Sequence, residues 1–128
     1  MEKGNKPGKK GIIRIWHALL YSISGLHIAF KNEAAIRQEL LALAILSTTA
    51  VLLPVSTLVK IGLILSIVSV IIVELLNSAI ERVVDLASPQ QSTLAKEAKD
   101  MGSSAVLLAI VYSTVFWVYI LVKIFIDK

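Results

Sequence analysis

Cysteine is missing from the 128-residue chain, which excludes disulfides, zinc–thiolate sites and a cysteine nucleophile together. Charge is scarce: 17% of residues are Asp, Glu, Lys or Arg, against about 25% in an ordinary soluble domain. The two histidines, His17 and His27, have no third ligand at metal-like spacing. The phosphate loop Gly-x-x-x-x-Gly-Lys-[Ser/Thr] and the soluble protein-kinase motifs are absent. No repeat or second domain is visible, and no nucleic-acid partner is expected. The lysine-rich start, residues 1–10, resembles a signal-peptide n-region. No short apolar core with a small-residue cleavage site follows it, so it is read as an uncleaved, flexible basic tail.

What the chain has in abundance is apolar surface, at 56% of residues. That excess excludes disorder and argues against a soluble globular enzyme. From Gly11 to Lys31, the residues Ile12, Trp16, Leu19, Ile23, Leu26 and Phe30 recur with helical period. Arg14, His17, Tyr21, Ser24 and Lys31 fall opposite, so the spacing predicts an amphipathic helix over 11–31 lying in a membrane interface. Three long apolar segments follow, Leu40–Val59 with Pro54 inside it, Ile61–Ile80 and Ala105–Val122. A crossing helix needs about 20 largely apolar residues. The expectation is an all-α membrane protein with one surface helix and three spans. Its helices should cover about 34–55, 58–85 and 93–125, with turns at Pro54–Thr57 and Ser88–Ser92. Trp16, Trp117 and Tyr119 read as interface anchors. Of the 13 cations, ten lie before the first span or between the second and third. The positive-inside rule then places the N-terminus in the cytoplasm and the C-terminus outside.

Glu74 stands inside the second span, where an acidic residue is costly and is a functional hypothesis by default. Glu74, Asn77, Ser78, Glu81 and Asp85 fall within an arc of about 100° at 3.6 residues per turn. That polar face cannot meet lipid. Counted from Ile80, Glu74 lies roughly 9 Å below the cytoplasmic edge. Glu81 sits at the edge itself, where Asn32, Glu33, Arg37, Gln38 and Glu39 flank the first span and Lys99, Asp100 and Ser103 flank the third. Three short spans can hardly enclose such a face alone, and Ser66, Ser69, Ser78, Ser103 and Ser104 supply small polar contact positions. A homo-oligomer with its site between spans is expected. Three classes remain open on residues alone: an enzyme acting on a lipid head group, a small proton-coupled exporter, and a non-catalytic membrane subunit. Crowding of the polar groups at one boundary favours the enzyme.

Three segments resemble a known family. Glu74-Leu75-Leu76-Asn77-Ser78-Ala79-Ile80-Glu81, followed by Val84-Asp85, is similar to the signature of the small bacterial integral-membrane lipid kinases. So are Ala98-Lys99-Asp100-Met101-Gly102-Ser103 and Asn32-Glu33-Ala34-Ala35-Ile36-Arg37-Gln38-Glu39. Together they resemble prokaryotic diacylglycerol kinase over about residues 11–125. Met101-Gly102 stands where the sister branch, the undecaprenol kinases, typically has small residues. Leu86–Glu97, with Pro89 and Gln90-Gln91-Ser92, departs from better-known members. The resemblance implies ATP-dependent phosphorylation of 1,2-diacylglycerol to phosphatidic acid by a homotrimer with shared active sites in the bacterial inner membrane. Undecaprenol is the alternative acceptor. By the same resemblance Glu74 is the general base and Asn77 supports it. Glu33 and Glu81 hold the Mg2+ that bridges the ATP phosphates. Lys99 and Asp100 contact ATP, as do Arg14 and Tyr21, while Arg14, Ser22, Glu74 and Ser103 meet the lipid.

Overall fold

A computed structural model describes residues 11–90 and 92–126, so the expected flexible tail at 1–10 lies outside the described residues. Four helices follow in chain order: α1 (Gly11–Asn32), α2 (Ala34–Leu52), α3 (Thr57–Ala87) and α4 (Thr93–Ile126). No strand occurs among the described residues. All four are long and apolar enough to cross a membrane, α1 being the least apolar. The count by length and composition is therefore four candidate spans, where the hydropathy reading expects three and a surface helix. The chain divides into two units, α1 and the residues from Glu33 onward. Along α1, Ile12, Trp16, Leu19, Ile23, Leu26 and Phe30 are exposed.

Within the second unit α3 packs against both α2 and α4. The 31 residues of α3 correspond to about 46 Å and the 34 of α4 to about 51 Å. Both exceed a hydrocarbon layer of about 30 Å, so each carries polar turns beyond it. α2 ends earlier than hydropathy suggests. Pro54 bars its predecessor from helical geometry, and Leu53 takes φ −65° and ψ 143°. Residues 57–59, apolar enough to be counted with the first span, instead open α3. At its other end α2 begins at Ala34, which places Glu39 inside the helix.

The chain's turns satisfy their own backbone groups. Ser56 caps α3 by accepting from the Val59 N–H at 3.4 Å. Lys60 Nζ donates to the Val51 carbonyl at 2.6 Å, a cation on the exposed C-terminal carbonyls of α2. Between α3 and α4, the Ser88 N–H bonds the Val84 carbonyl at 2.8 Å. Pro89 then prevents continuation, and Ser92 caps α4 by accepting from the Ala95 N–H at 3.1 Å.

The apolar core is built from Ala50, Leu63, Ile67, Trp117 and Ile120. Trp117, expected as an interface anchor, is buried instead: its Nε1–H donates to the Leu63 carbonyl at 3.3 Å. Ser66 and Ser113 meet between α3 and α4 with their oxygens 3.0 Å apart. Ser66 already donates its proton to the Leu63 carbonyl at 2.7 Å, so Ser113 is the donor between them. This serine pair is the kind of interhelical contact that polar residues make in lipid.

Candidate active site

The opposite part of the second unit carries the acidic residues. Glu33 precedes α2 in extended geometry, with φ −105° and ψ 118°, and its side chain makes no cap hydrogen bond. It reaches α3 instead, where Arg82 Nη2 donates to Glu33 Oε1 at 2.7 Å. Glu74 stands on α3 within electrostatic reach of Glu81 and Glu33, and of Glu39 on α2. One turn from Glu81, Asn77 is buried and donates from Nδ2 to Glu81 Oε1 at 3.3 Å. Four carboxyl groups, from α2, α3 and the extended residue before α2, thus lie within electrostatic reach along one stretch of α3.

Asn77 is held by α4 as well. Gly102 packs against its amide so closely that a Cβ at position 102 would overlap Oδ1 and lie 3.3 Å from Cγ. Glycine is needed here for the close approach of the helices, not for an unusual backbone angle. The Asn77 Oδ1 and Glu39 Oε2 atoms are buried with no hydrogen-bond partner. Buried polar atoms are nearly always paired, so two orphans in one cluster point to a function or a missing ligand.

Beyond Glu81, towards the α3–α4 turn, Lys99 Nζ bonds Asp85 Oδ1 at 3.0 Å. Lys96 Nζ bonds Asp100 Oδ2 at 2.5 Å, one turn along α4. The hydrogen bond and charge of Asp85 hold the Lys99 ammonium above the usual lysine range. These residues line an open cavity of about 510 Å³ with Val84, Ser88 and Ser92. Its size suits a nucleotide-sized ligand.

The structure therefore brings Glu33, Glu74, Asn77 and Glu81 into one cluster and places Lys99 and Asp100 at the adjoining cavity. Ser103 is exposed on α4, one turn beyond Lys99. Arg14, Tyr21 and Ser22 are exposed on α1. Arg14 and Tyr21 are seven residues apart and share a face, and Ser22 donates to the Ala18 carbonyl at 2.9 Å. Three further residues join the site without a clear signal in the sequence. Arg82 reads only as a cation between spans, although it stands beside Glu81. Glu39 reads as a boundary residue, and Gly102 as one letter of a motif. No single-helix pattern reveals a glycine's contact with another helix.

Among the described residues no three His, Cys, Asp or Glu side chains converge as a self-sufficient metal site. Magnesium fits the cluster on different terms, because it is commonly held by one or two carboxylates and completes its shell with phosphate oxygens and water. The neutral Asn77 amide holds one oxygen of Glu81 and orients that carboxylate, whereas Glu33 Oε1 is engaged by the Arg82 guanidinium.

Comparison with known proteins decides the family. Residues 20–121 match the family described as prokaryotic diacylglycerol kinase. The chain belongs to that family. It is 45% identical to a protein named diacylglycerol kinase from Escherichia coli (strain K12) over 111 residues, covering 87% of this chain and 91% of that relative. The protein of that name from Pseudomonas aeruginosa is 45% identical over 114 residues, 89% of this chain and 93% of its own. The one from Helicobacter pylori is 38% identical over 111 residues, 87% of each chain. A bacterial family and four apolar helices together make this a membrane protein.

Proposed function

We propose that the protein transfers the γ-phosphate of ATP to the hydroxyl of 1,2-diacylglycerol, forming phosphatidic acid and ADP. The observation that carries the reading is the assembly of Glu33, Glu74 and Glu81 around one stretch of α3, beside the cavity lined by Lys99 and Asp100. Membership of the diacylglycerol kinase family supports it.

Phosphoryl transfer needs positioning and charge neutralisation more than covalent help from a protein. Glu74 is the general base: it takes the proton of the lipid hydroxyl as that oxygen bonds to the γ-phosphorus and the bridging bond to ADP breaks. Glu33 and Glu81 are the residues that would hold Mg2+ with the nucleotide. Bound magnesium would neutralise charge on the phosphates. Asn77, wedged against Gly102, orients Glu81 through its hydrogen bond. Lys99 and Asp100 contact ATP at the cavity, and the family resemblance assigns ATP contacts to Arg14 and Tyr21 as well. By the same resemblance Arg14, Ser22 and Ser103 meet the lipid.

In this reading α2, α3 and α4 carry the three spans, and α1 is an amphipathic helix on the cytoplasmic face of the inner membrane. The N-terminus is cytoplasmic and the C-terminus lies on the outer side, a reading supported by the distribution of cations. The protein is a homotrimer with shared active sites, and residues 1–128 act as one lipid kinase domain. The test is phosphate transfer from labelled ATP in mixed micelles containing dioleoylglycerol, undecaprenol or no acceptor, each with and without magnesium. Magnesium-dependent phosphatidic acid formed much faster than undecaprenyl phosphate is expected. The reverse preference moves the protein to the sister branch, and transfer to neither lipid overturns the reading.

A further inference from the structure

The Arg82–Glu33 contact poses a problem of charge. Its partners are 2.7 Å apart, and Glu33 is the more covered of the two, at 28% side-chain exposure against 50% for Arg82. A carboxylate oxygen engaged by a guanidinium at this distance is poorly placed to serve a divalent cation, since the two cations repel at short range. An arriving nucleoside triphosphate meets a second difficulty. It is a polyanion approaching Glu33, Glu74 and Glu81, while Lys99 and Lys96 at the adjoining cavity are already paired with Asp85 and Asp100.

Both difficulties are resolved by one movement of one side chain. Resting on the function proposed above, we infer that Arg82 is an exchanging counter-ion. Without nucleotide it holds Glu33. When the metal–nucleotide complex arrives it gives Glu33 to the metal and turns its guanidinium to the phosphates. Arg82 adjoins Glu81 on α3, so the phosphates of a complex held by Glu33 and Glu81 come within reach of a long side chain rooted there. Its exposure leaves room for the swing, and a guanidinium's fixed fork of donors matches phosphate as well as carboxylate. Arg82 would thus keep metal alone from occupying the site and favour metal arriving with nucleotide.

The test uses the full-length protein in mixed micelles, with manganese as a paramagnetic probe and a non-hydrolysable ATP analogue. Two affinities are measured, for manganese alone and for the analogue in saturating manganese. Arg82→Ala should tighten binding of manganese alone by about threefold or more and weaken analogue binding by about tenfold, the scale of one charge-assisted hydrogen bond. Arg82→Lys should recover part of the analogue affinity, because it keeps the charge and loses the fork. In a Glu33→Gln background the gain in manganese binding should vanish. Opposite signs are the signature, because a merely structural role would weaken both affinities together. Parallel losses, or no change in either, would overturn the inference. If the wild-type protein binds no metal–nucleotide complex, the functional reading fails and this inference with it. Wild-type binding that Arg82→Ala leaves untouched overturns the role of Arg82 alone.

Discussion

The two ends of the helical unit after Glu33 treat polar atoms in opposite ways. At the end built from Ala50, Leu63, Ile67 and Trp117, every polar group named in the packing has a partner. Ser113 donates to Ser66, Ser66 to the Leu63 carbonyl, and the Trp117 indole to the same carbonyl. At the carboxylate end, Asn77 Oδ1 and Glu39 Oε2 are buried without a partner, and four acidic residues stand close together. The first arrangement holds helices together in lipid. The second is strained by like charge and incomplete hydrogen bonding, which is the usual mark of a site that waits for a ligand. One helix, α3, carries both, so the well-packed end acts as the frame that keeps the unfavourable end in place.

Substitutions at the two ends should separate stability from activity. Leu63→Ala should produce the largest loss of stability, roughly 2 kcal/mol. That is the low end of the range for soluble cores, because lipid is as apolar as the interior and the cavity is what remains. Denaturation in mixed micelles would measure it, and per-molecule turnover of the folded fraction should be little changed. Gly102→Ala sharpens the comparison at the other end. The added methyl displaces the Asn77 amide and breaks its bond to Glu81, so turnover should fall about tenfold while stability falls by about 1 kcal/mol, near the floor for overpacking. Ser113→Ala removes the donor of a buried hydroxyl pair and should cost about 0.6 kcal/mol, the average for such contacts in membrane helices, with no change in transfer rate.

The smallest expected effect is a pH effect. The pKa of Lys99 is raised by Asp85. The stabilisation from that pair is fully present below the ordinary lysine value and is lost only as pH rises through the raised one. Between about pH 6 and 9, at least a unit below the ordinary lysine value of about 10.4, Lys99 stays charged. Nucleotide affinity of the wild-type protein and of Lys99→Arg should therefore show the same dependence on pH over that interval. A titration step removed by Lys99→Arg would contradict the assignment.

Much of this architecture was legible in the sequence. The polar residues Glu74, Asn77, Ser78 and Glu81 of α3 are spaced at 0, 3, 4 and 7, which puts them on one face, and the structure places Glu74, Asn77 and Glu81 near Glu33. Pro54 and Pro89 mark both turns, although hydropathy alone put the end of α2 too late. It averages over a window, whereas Pro54 acts on one residue. Contacts between helices were less accessible. The burial of Trp117 and the pairing of Ser66 with Ser113 depend on how α3 and α4 are rotated against each other. The seat of Asn77 on Gly102 and the grip of Arg82 on Glu33 depend on the same packing. An amphipathic pattern does not encode that rotation residue by residue. Glu33, Glu39 and Glu81 could be seen to share the boundary level, with Glu74 deeper; the partners Arg82 and Asn77 that hold Glu33 and Glu81 could not.

The central claim is that the carboxylate end performs phosphoryl transfer with Glu74 as its base. Its most direct test is one paired measurement on wild-type protein and Glu74→Gln in mixed micelles: affinity for magnesium–ATP, and the rate of phosphate transfer to dioleoylglycerol. Glu74→Gln should bind magnesium–ATP within about threefold of wild type, because Glu33 and Glu81 remain, and transfer should fall by about 10²–10⁴, the usual contribution of a general base. A variant that binds nucleotide normally and still transfers phosphate at a rate near wild type would contradict the account.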